Sequence, residues 1–482
     1  MINERNNSQG EIEVVILENL VPKDHLLRQI DKYIDFSFIR NIANKLYCLD
    51  NGRPAIDPVV LFKMLFIGYL YGIRSERQLV REIEVNVAYR WFLGYSLTEP
   101  IPNASTISQN RRRRFRDSDI DQQIFDEIVR QAIKYGLVSG KILYADSTHI
   151  KANANKNKFE LVQVTVEPKE YLEELDKDIN EDREAHGKTP LKKRPQIPEN
   201  KSIKVSKTDP ESGYMVRDNK PKGFFYLDHR TVDSRENIIT DVHVTPGNVY
   251  NRQPIMSRVD VQKKKFGFDI NFIGLDAGYF TNLVLKKLIA RNIKPAVAYR
   301  LGPHTKGIYT KTFFRYDKDE DIYYCPNNMC LKYKTTTRQG YREYISNARN
   351  CSYCSLSEKS LSPKSQIRVI RRHVWEEAKD ITVEFMRTNQ GKQIYKRRKE
   401  TIERSFADSK NIHGLRYARF RGLRKVLEQC LLTAAVQNMK KIARALALTK
   451  FSISFHMYNL IASLIYIIYA TNPSLLKISW GL

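Results

Sequence analysis

Long apolar runs are missing from this sequence. The longest, "MYNLIASLIYIIYA" at 457–470, contains Asn459 and falls short of the roughly 18 residues that a membrane-spanning helix needs. No integral membrane association is expected, and the run reads as a buried or partner-facing helix. The opening residues, "MINERNNSQGEIEVV", lack the apolar stretch of a secretory signal. Cysteine is scarce too: six in 482 residues exclude a disulfide scaffold and suit a reducing, cytoplasmic setting. Negative charge is short, with 54 Asp and Glu against 81 Lys and Arg, a formal net charge of +27. Such an excess repels itself and attracts polyanions, so nucleic acid is the expected partner.

What is present is enough to fold. Apolar residues make up 42% of the chain, ample for real cores. Residues 20 to about 135 read as helical. "PVVLFKMLFIGYLYG" (58–72) has buried-helix length and ends at Gly72. Ser75 with Gln78 forms a capping box, and Leu79, Ile83, Val87 and Trp91 follow on one helix face. A second box, Thr106 with Gln109, opens a helix carrying Arg111, Arg112, Arg113, Arg114 and Arg116 beside Phe115. No acidic i,i+4 partners lie within that run, which favours phosphate contact over a solvated face.

From 139 the pattern turns to strands. "KILYAD" opens a sheet, and "GFFYLDHRTVD" and "NIITDVHVTPG", separated by "SRE", read as a hairpin. "INFIGLDAGYF" is a buried strand entering a turn, followed by a helix and the strand "KPAVAYR". Residues 160–222, charged and proline-rich, read as an insertion or mobile arm without chemistry. From 394 the pattern is helical to about 447, with breaks at Gly414 and Gly422.

Carboxylates carry the chemistry. Asp146 and Asp276 each end an apolar strand, in "ILYADST" and "FIGLDAG", and Glu403 lies in the helical "KETIERSFADSK". Two strand-end aspartates and a helix-borne glutamate can converge on hard cations such as Mg²⁺, and a pair of such ions serves phosphoryl transfer. Ala145 and Ser147, being small, would leave room for a phosphate and water, and the stretch Lys151 to Lys158 would draw in the DNA backbone. Lys410 lies two helical turns after Glu403, on the same face. Asp228, Asp233 and Asp241 also sit in strand-like segments and compete as ligands by pattern alone. His149 and His243 are the acid–base candidates of a different mechanism. Cys325 and Cys330, with Cys351 and Cys354, form C-x4-C and C-x2-C pairs, open to structural Zn²⁺ or to four ordinary thiols. Cys48 and Cys430 read as buried small hydrophobes.

The blocks "ADSTHIKANA", "GLDAGYFTN" and "ETIERSFADSKNIHGLRYARFRGLRKVLEQCLLTAAVQNMKKIA" resemble the three signature blocks of DDE transposases of bacterial insertion sequences. "IDPVVLFKMLFIGYLYGIRSERQLVREIEVNVAYRWFLG", with "NASTISQNRRRRF" after it, is similar to the helical domain that precedes their catalytic core. The resemblance spans roughly residues 20–445. It implies an α/β RNase H-like core, a mixed sheet with flanking helices, preceded by an all-α DNA-binding domain and carrying a small cysteine-containing insertion. The implied division is 1–135 for DNA binding, 139–300 for the first part of the core (with the charged insertion 160–222), 301–375 for the cysteine segment, 376–447 for the C-terminal catalytic helices and 448–482 for an apolar tail.

The resemblance selects Asp146, Asp276 and Glu403 as the triad for two Mg²⁺ or Mn²⁺ ions, and it alone prefers Asp276 over the competing aspartates. Asp228→Asn, Asp233→Asn and Asp241→Asn are accordingly expected to leave cleavage within about tenfold. It gives Lys410 a DNA contact. Tyr395 and Arg398 match a Tyr and an Arg that precede the glutamate in some relatives, at a different offset. Some relatives also carry a cysteine cluster, with a further cysteine where this chain has "SLSEKSLSPKS". The implied partners are the element's double-stranded DNA ends and target DNA, bound by a homo-oligomer at the nucleoid. Two other functions share these features: a DNA-binding protein that has lost the reaction, and a nuclease that cuts without joining.

Overall fold

The computed structural model describes residues 10, 12–47, 55–166, 171–193, 199–216, 221–299, 305–362 and 365–471, with side chains followed to residue 448. The expectations for Cys48 and for the side chains of 457–470 lie outside the described residues.

The N-terminal region is helical. Pro58–Leu70 starts on Asp57, whose carboxylate accepts from the Val59 N–H, and Pro58 occupies the first helical position. Apart from Lys63, which pairs with Asp31, the helix is apolar around its circumference because most of it is buried. Gly72 closes it at φ +69°, where a Cβ would stand 2.5 Å from the Ile412 carbonyl oxygen. Only glycine fits that contact between the first helices and the far end of the chain.

Two helix boundaries differ from the sequence expectation. Ser75 does cap Glu76–Val85, but Asn86 ends that helix and caps a new one, Val87–Leu93, so Leu79 and Trp91 are not on one continuous face. The next helix begins at Ala104, capped by Asn103 rather than by Thr106. Both asparagines win because their side chains satisfy free amides at the start of the following turn.

The main sheet takes β1 (Ile142–Lys151), β4 (Gly213–Met215), β5 (Gly223–Asp233), β6 (Ile239–Pro246), β7 (Phe272–Leu275) and β8 (Lys294–Val297). β5 lies antiparallel to β1 on one edge and to β6 and β4 on the other, while β1, β7 and β8 run parallel. The β5–β6 pair is the hairpin read from the sequence. Residues 160–222 carry the β2 (Phe159–Val166) and β3 (Glu199–Ser206) ribbon and the helix Tyr171–Ala185. That helix docks by Asp182 on Arg342 and Thr336, and by Asp178 on Trp375 and Lys286. Its partners include a second antiparallel sheet of β9 (Arg315–Asp317), β10 (Ile322–Tyr324), β11 (Cys330–Thr336), β12 (Tyr341–Ile345) and β13 (Val369–His373).

The last helix, Leu423–Thr471, runs well past the expected end near 447. Gly414 and Gly422 do mark chain breaks, both with positive φ. A single hydrophobic core extends from Leu27 through Phe62, Ile128, Tyr144 and Val242 to Ala443, joining the first helices, one face of the sheet and the last helix. The other sheet face has its own core, which includes Leu143, Ala145, Ile273 and Leu275.

Candidate active site

Strand register brings the two aspartates together. β1 and β7 are parallel, and their pairing ends at Ala145 with Leu275. Asp146 and Asp276 therefore follow directly on neighbouring strands, which lie about 4.8 Å apart in a sheet. Asp276 leaves its strand as expected. Asp146 does not: β1 continues to Lys151, paired with β5, so this aspartate sits in mid-strand. The polar residues after it alternate across the sheet, which in sequence looks like a turn.

Alternation also sorts the neighbours of Asp146. It shares a face with Tyr144, Thr148 and Ile150, whereas Ala145, Ser147 and His149 point the other way. Ala145 is buried in the second core, so it does not open space beside Asp146 as the sequence reading expected. His149 packs edge-on against Phe225 on that far side. His243 lies beside His229, and burial holds its pKa below the usual imidazole range.

Glu403 arrives on the helix Ile402–Asn411, which packs over β1 and β5. A fully buried ion pair fixes that helix. Arg230 Nε donates to Asp228 at 2.9 Å, and its Nη1 donates to Ser409 at 2.7 Å and to Ser405 at 3.2 Å. Asp228 is thereby a structural anchor. Asp233 is another, accepting from the N–H groups of Ser139, Gly140 and Arg235. Asp241 pairs with Arg258. Each of the three competing aspartates is occupied within the fold.

Arg398 joins the carboxylates. Its guanidinium stands 3.0 Å from Asp146, 3.7 Å from Asp276 and 3.9 Å from Glu403. The offset from Glu403 is no obstacle because the two residues are not on one helix: a tight turn at Arg397–Lys399 and a break at Thr401 come between them. Tyr395 lies 5.5 Å from the guanidinium and supports it from the preceding helix. Gly274 makes the passage, since a Cβ there would meet the Tyr144 ring at 2.5 Å and the Arg398 stem at 3.5 Å. Burial is the main cause raising the Asp146 pKa to about 6; Asp276 and Glu403 push the same way, while the Ser147 N–H and Arg398 oppose them. Lys410 reaches back to β1, its ammonium 2.5 Å from the Thr148 hydroxyl.

The arginine run is divided. Residues 110–114 form a π-helical turn. Arg111 is turned inward, paired with Glu76 and, at 2.7 Å, with Glu428 of the last helix. Arg114 lies 3.9 Å over the Tyr47 ring and donates to Asn110. Arg112, Arg113 and Arg116 face solvent. Nothing in the spacing of the run announces Glu428 as a partner, because the pair is made across the core.

Cys325, Cys330, Cys351 and Cys354, all partly exposed, line one small cavity of about 30 Å³ in the second sheet region. Their present partners are local: Asn327 donates toward Cys354, the Met329 N–H toward Cys325, and Cys351 toward Ser346. Cys430 is buried in the main core, as expected. Among the described residues, no three His, Cys, Asp or Glu side chains stand at metal-ligand spacing, and no helix is long and apolar enough to cross a membrane.

Two family models match parts of the chain. Residues 15–113 match the family model of a transposase domain, and residues 324–443 match that of a transposase DDE domain. No curated protein and no solved structure matches the chain. The second match contains Arg398, Glu403, Lys410 and the four clustered cysteines; Asp146 and Asp276 lie between the two matches. With a transposase domain followed by a DDE domain, in the order its sequence blocks imply, the chain belongs to the DDE transposases of insertion sequences.

Proposed function

We propose that this transposase binds the terminal inverted repeats of its element, cuts DNA there and joins the ends to target DNA, with Asp146, Asp276 and Glu403 as the catalytic carboxylates. The observation that carries the reading is their convergence on one guanidinium from two parallel strands and a separately packed helix. The sheet supports an RNase H-like core: a hairpin partner, the first strand and two parallel strands follow in the order β6-β5-β1-β7-β8.

Hard oxygen donors in a set of two aspartates and a glutamate suit Mg²⁺ or Mn²⁺. Two such ions would activate the attacking water or 3′-hydroxyl and neutralise charge on the leaving oxygen. The chain's own residues do the positioning. Register aligns Asp146 with Asp276, the Arg230 anchor sets the height of Glu403, and Arg398 offsets charge that the three carboxylates would otherwise share unopposed. Lys410, fixed to Thr148, stands on the Asp146 side of the sheet as a phosphate contact. Arg112, Arg113 and Arg116 are the members of the arginine run presented to DNA, in a homo-oligomer acting at the nucleoid.

A strand-transfer assay with element-end duplex and Mg²⁺ tests the reading. Joined products are expected. Cleavage without joining would point to a nuclease, and binding alone to a protein that has lost the reaction.

The cysteine cavity supports a structural Zn²⁺ held by Cys325, Cys330, Cys351 and Cys354. Thiolates suit zinc, and residues from two separate hairpin and turn segments already share one small space. Protein purified under reducing conditions without chelator should carry close to one equivalent of zinc by elemental analysis. Stripping it should melt the second sheet locally while the main sheet survives. Less than about half an equivalent would leave four ordinary thiols.

A further inference from the structure

Beyond the carboxylates, β1 leads into a broad groove of about 910 Å³. Its walls come from four stretches of chain: Arg74 after the buried N-terminal helix, Lys151 and Lys158 at and beyond the end of β1, Thr208 just after β3, and Tyr417, Arg419 and Arg421 after the catalytic helix. No Asp or Glu lines it. None of its five cations has an ion-pair partner among the described residues, whereas Arg258 and Arg291 elsewhere are paired with Asp241 and Asp260.

The groove is built rather than incidental. The Lys151 N–H donates to the Arg416 carbonyl at 3.1 Å, and the Ala418 N–H donates to the Lys151 carbonyl at 2.8 Å, bolting the 416–421 loop to the strand. The Tyr417 ring holds Arg74 at 5.3 Å and Lys151 at 5.8 Å, and Arg419 lies 4.5 Å over the Tyr69 ring. Two guanidinium nitrogens of Arg419, Nε and Nη2, are buried without a hydrogen-bond acceptor. Five like charges gathered on rigid supports repel one another, and a polyanion is the occupant that reverses that cost.

We propose that this groove seats the phosphate backbone of duplex DNA about five base pairs from the scissile phosphate. The inference rests on the reading that Asp146 lies at the cutting site. Five residues of β1 separate Asp146 from Lys151; at about 3.3 Å each this is ~17 Å, and duplex DNA rises about 3.4 Å per base pair. Lys151 leaves β1 on the face opposite Asp146, so DNA with its scissile phosphate at Asp146 reaches the groove as it passes the end of β1, at that spacing along the strand. The ligand is recognised by charge and not by base sequence, so element DNA and flanking DNA are both candidates of one chemistry.

The full-length chain tests it. Binding of a 30-base-pair duplex containing the cleavage site is measured against salt for the unmodified protein and for a variant combining Arg74→Gln, Lys151→Gln and Arg421→Gln. Each lost phosphate contact lowers the log–log salt slope by about 0.9, so the variant should lose about 2.7. Duplexes trimmed to three base pairs beyond the cleavage position, on either side in turn, form the second arm. One trim should weaken the unmodified protein and leave the variant unaffected; the side that matters assigns the groove to element or flanking DNA. If the triple variant is poorly folded, Lys158→Gln on its exposed turn is read alone, with an expected slope change of about 0.9. Cleavage-competent binding with an unchanged slope, or indifference to both trims, overturns the groove alone. No DNA binding by the unmodified chain overturns the parent reading with it.

Discussion

Asp146→Asn is expected to abolish strand cleavage while end binding survives. The substitution keeps the side chain's size and its place between β5 and β7, and removes one of three carboxylates that face Arg398. A loss on the order of a thousandfold or more is expected, about 4 kcal/mol of barrier. Asp276→Asn and Glu403→Gln should do the same. Binding holds or tightens, because removing a negative charge eases the approach of phosphate. Product formation on labelled element-end duplex, paired with a binding measurement on the same preparation, separates the two effects. Near-normal Mg²⁺-dependent cleavage by Asp146→Asn would return this residue to an ordinary polar position in a half-buried strand.

Asp228→Asn, by contrast, should act through folding. Asp228 and Arg230 are both without side-chain exposure, and Arg230 has no other carboxylate in contact among the described residues. Neutralising the aspartate strands a buried guanidinium, and breaking one side of such a pair costs about 3–5 kcal/mol. Thermal or denaturant unfolding should register a loss of that size. Cleavage per folded molecule should stay within about tenfold, 1.4 kcal/mol, so the sequence expectation holds only after correction for unfolded protein. Replacing both partners together, Asp228→Leu with Arg230→Met, should recover much of the stability, because no lone charge remains buried. A wild-type melting curve for Asp228→Asn would mean that the pair does not anchor the helix Ile402–Asn411.

What the sequence made legible follows the range of each interaction. The helix Pro58–Leu70, its stop at Gly72 and the β5–β6 hairpin rest on local chemistry, and local chemistry is written in consecutive residues. The strand that delivers Asp276 was visible for the same reason. Asp146 was visible as a residue but not as a position: it looked like a strand end because the next residues are polar, and only the β5 partner keeps β1 going. Arg398 stood in doubt because its offset from Glu403 differs from that in relatives, and the break at Thr401 that accommodates the offset cannot be read from residue types. Arg111 was read as a DNA contact because Glu428, its partner, lies over three hundred residues away in the chain. Arg230, Ser405 and Ser409 were missed altogether. Two serines four apart on the face opposite Glu403 were the available signal, and a buried arginine one strand away gives it meaning only in three dimensions.

The core that runs from Leu27 to Ala443 also sets a schedule. Chains emerge from the ribosome at about 5–20 residues per second, so the first helices wait roughly 20–80 s for the last helix to appear. Throughout that interval the side of Pro58–Leu70 that packs on the last helix is uncovered, and Arg111 has no Glu428. A nascent chain in this condition is a client for chaperones. A gene copy broken near its 3′ end would therefore yield sticky, short-lived fragments rather than a stable DNA-binding remnant able to occupy the element's ends.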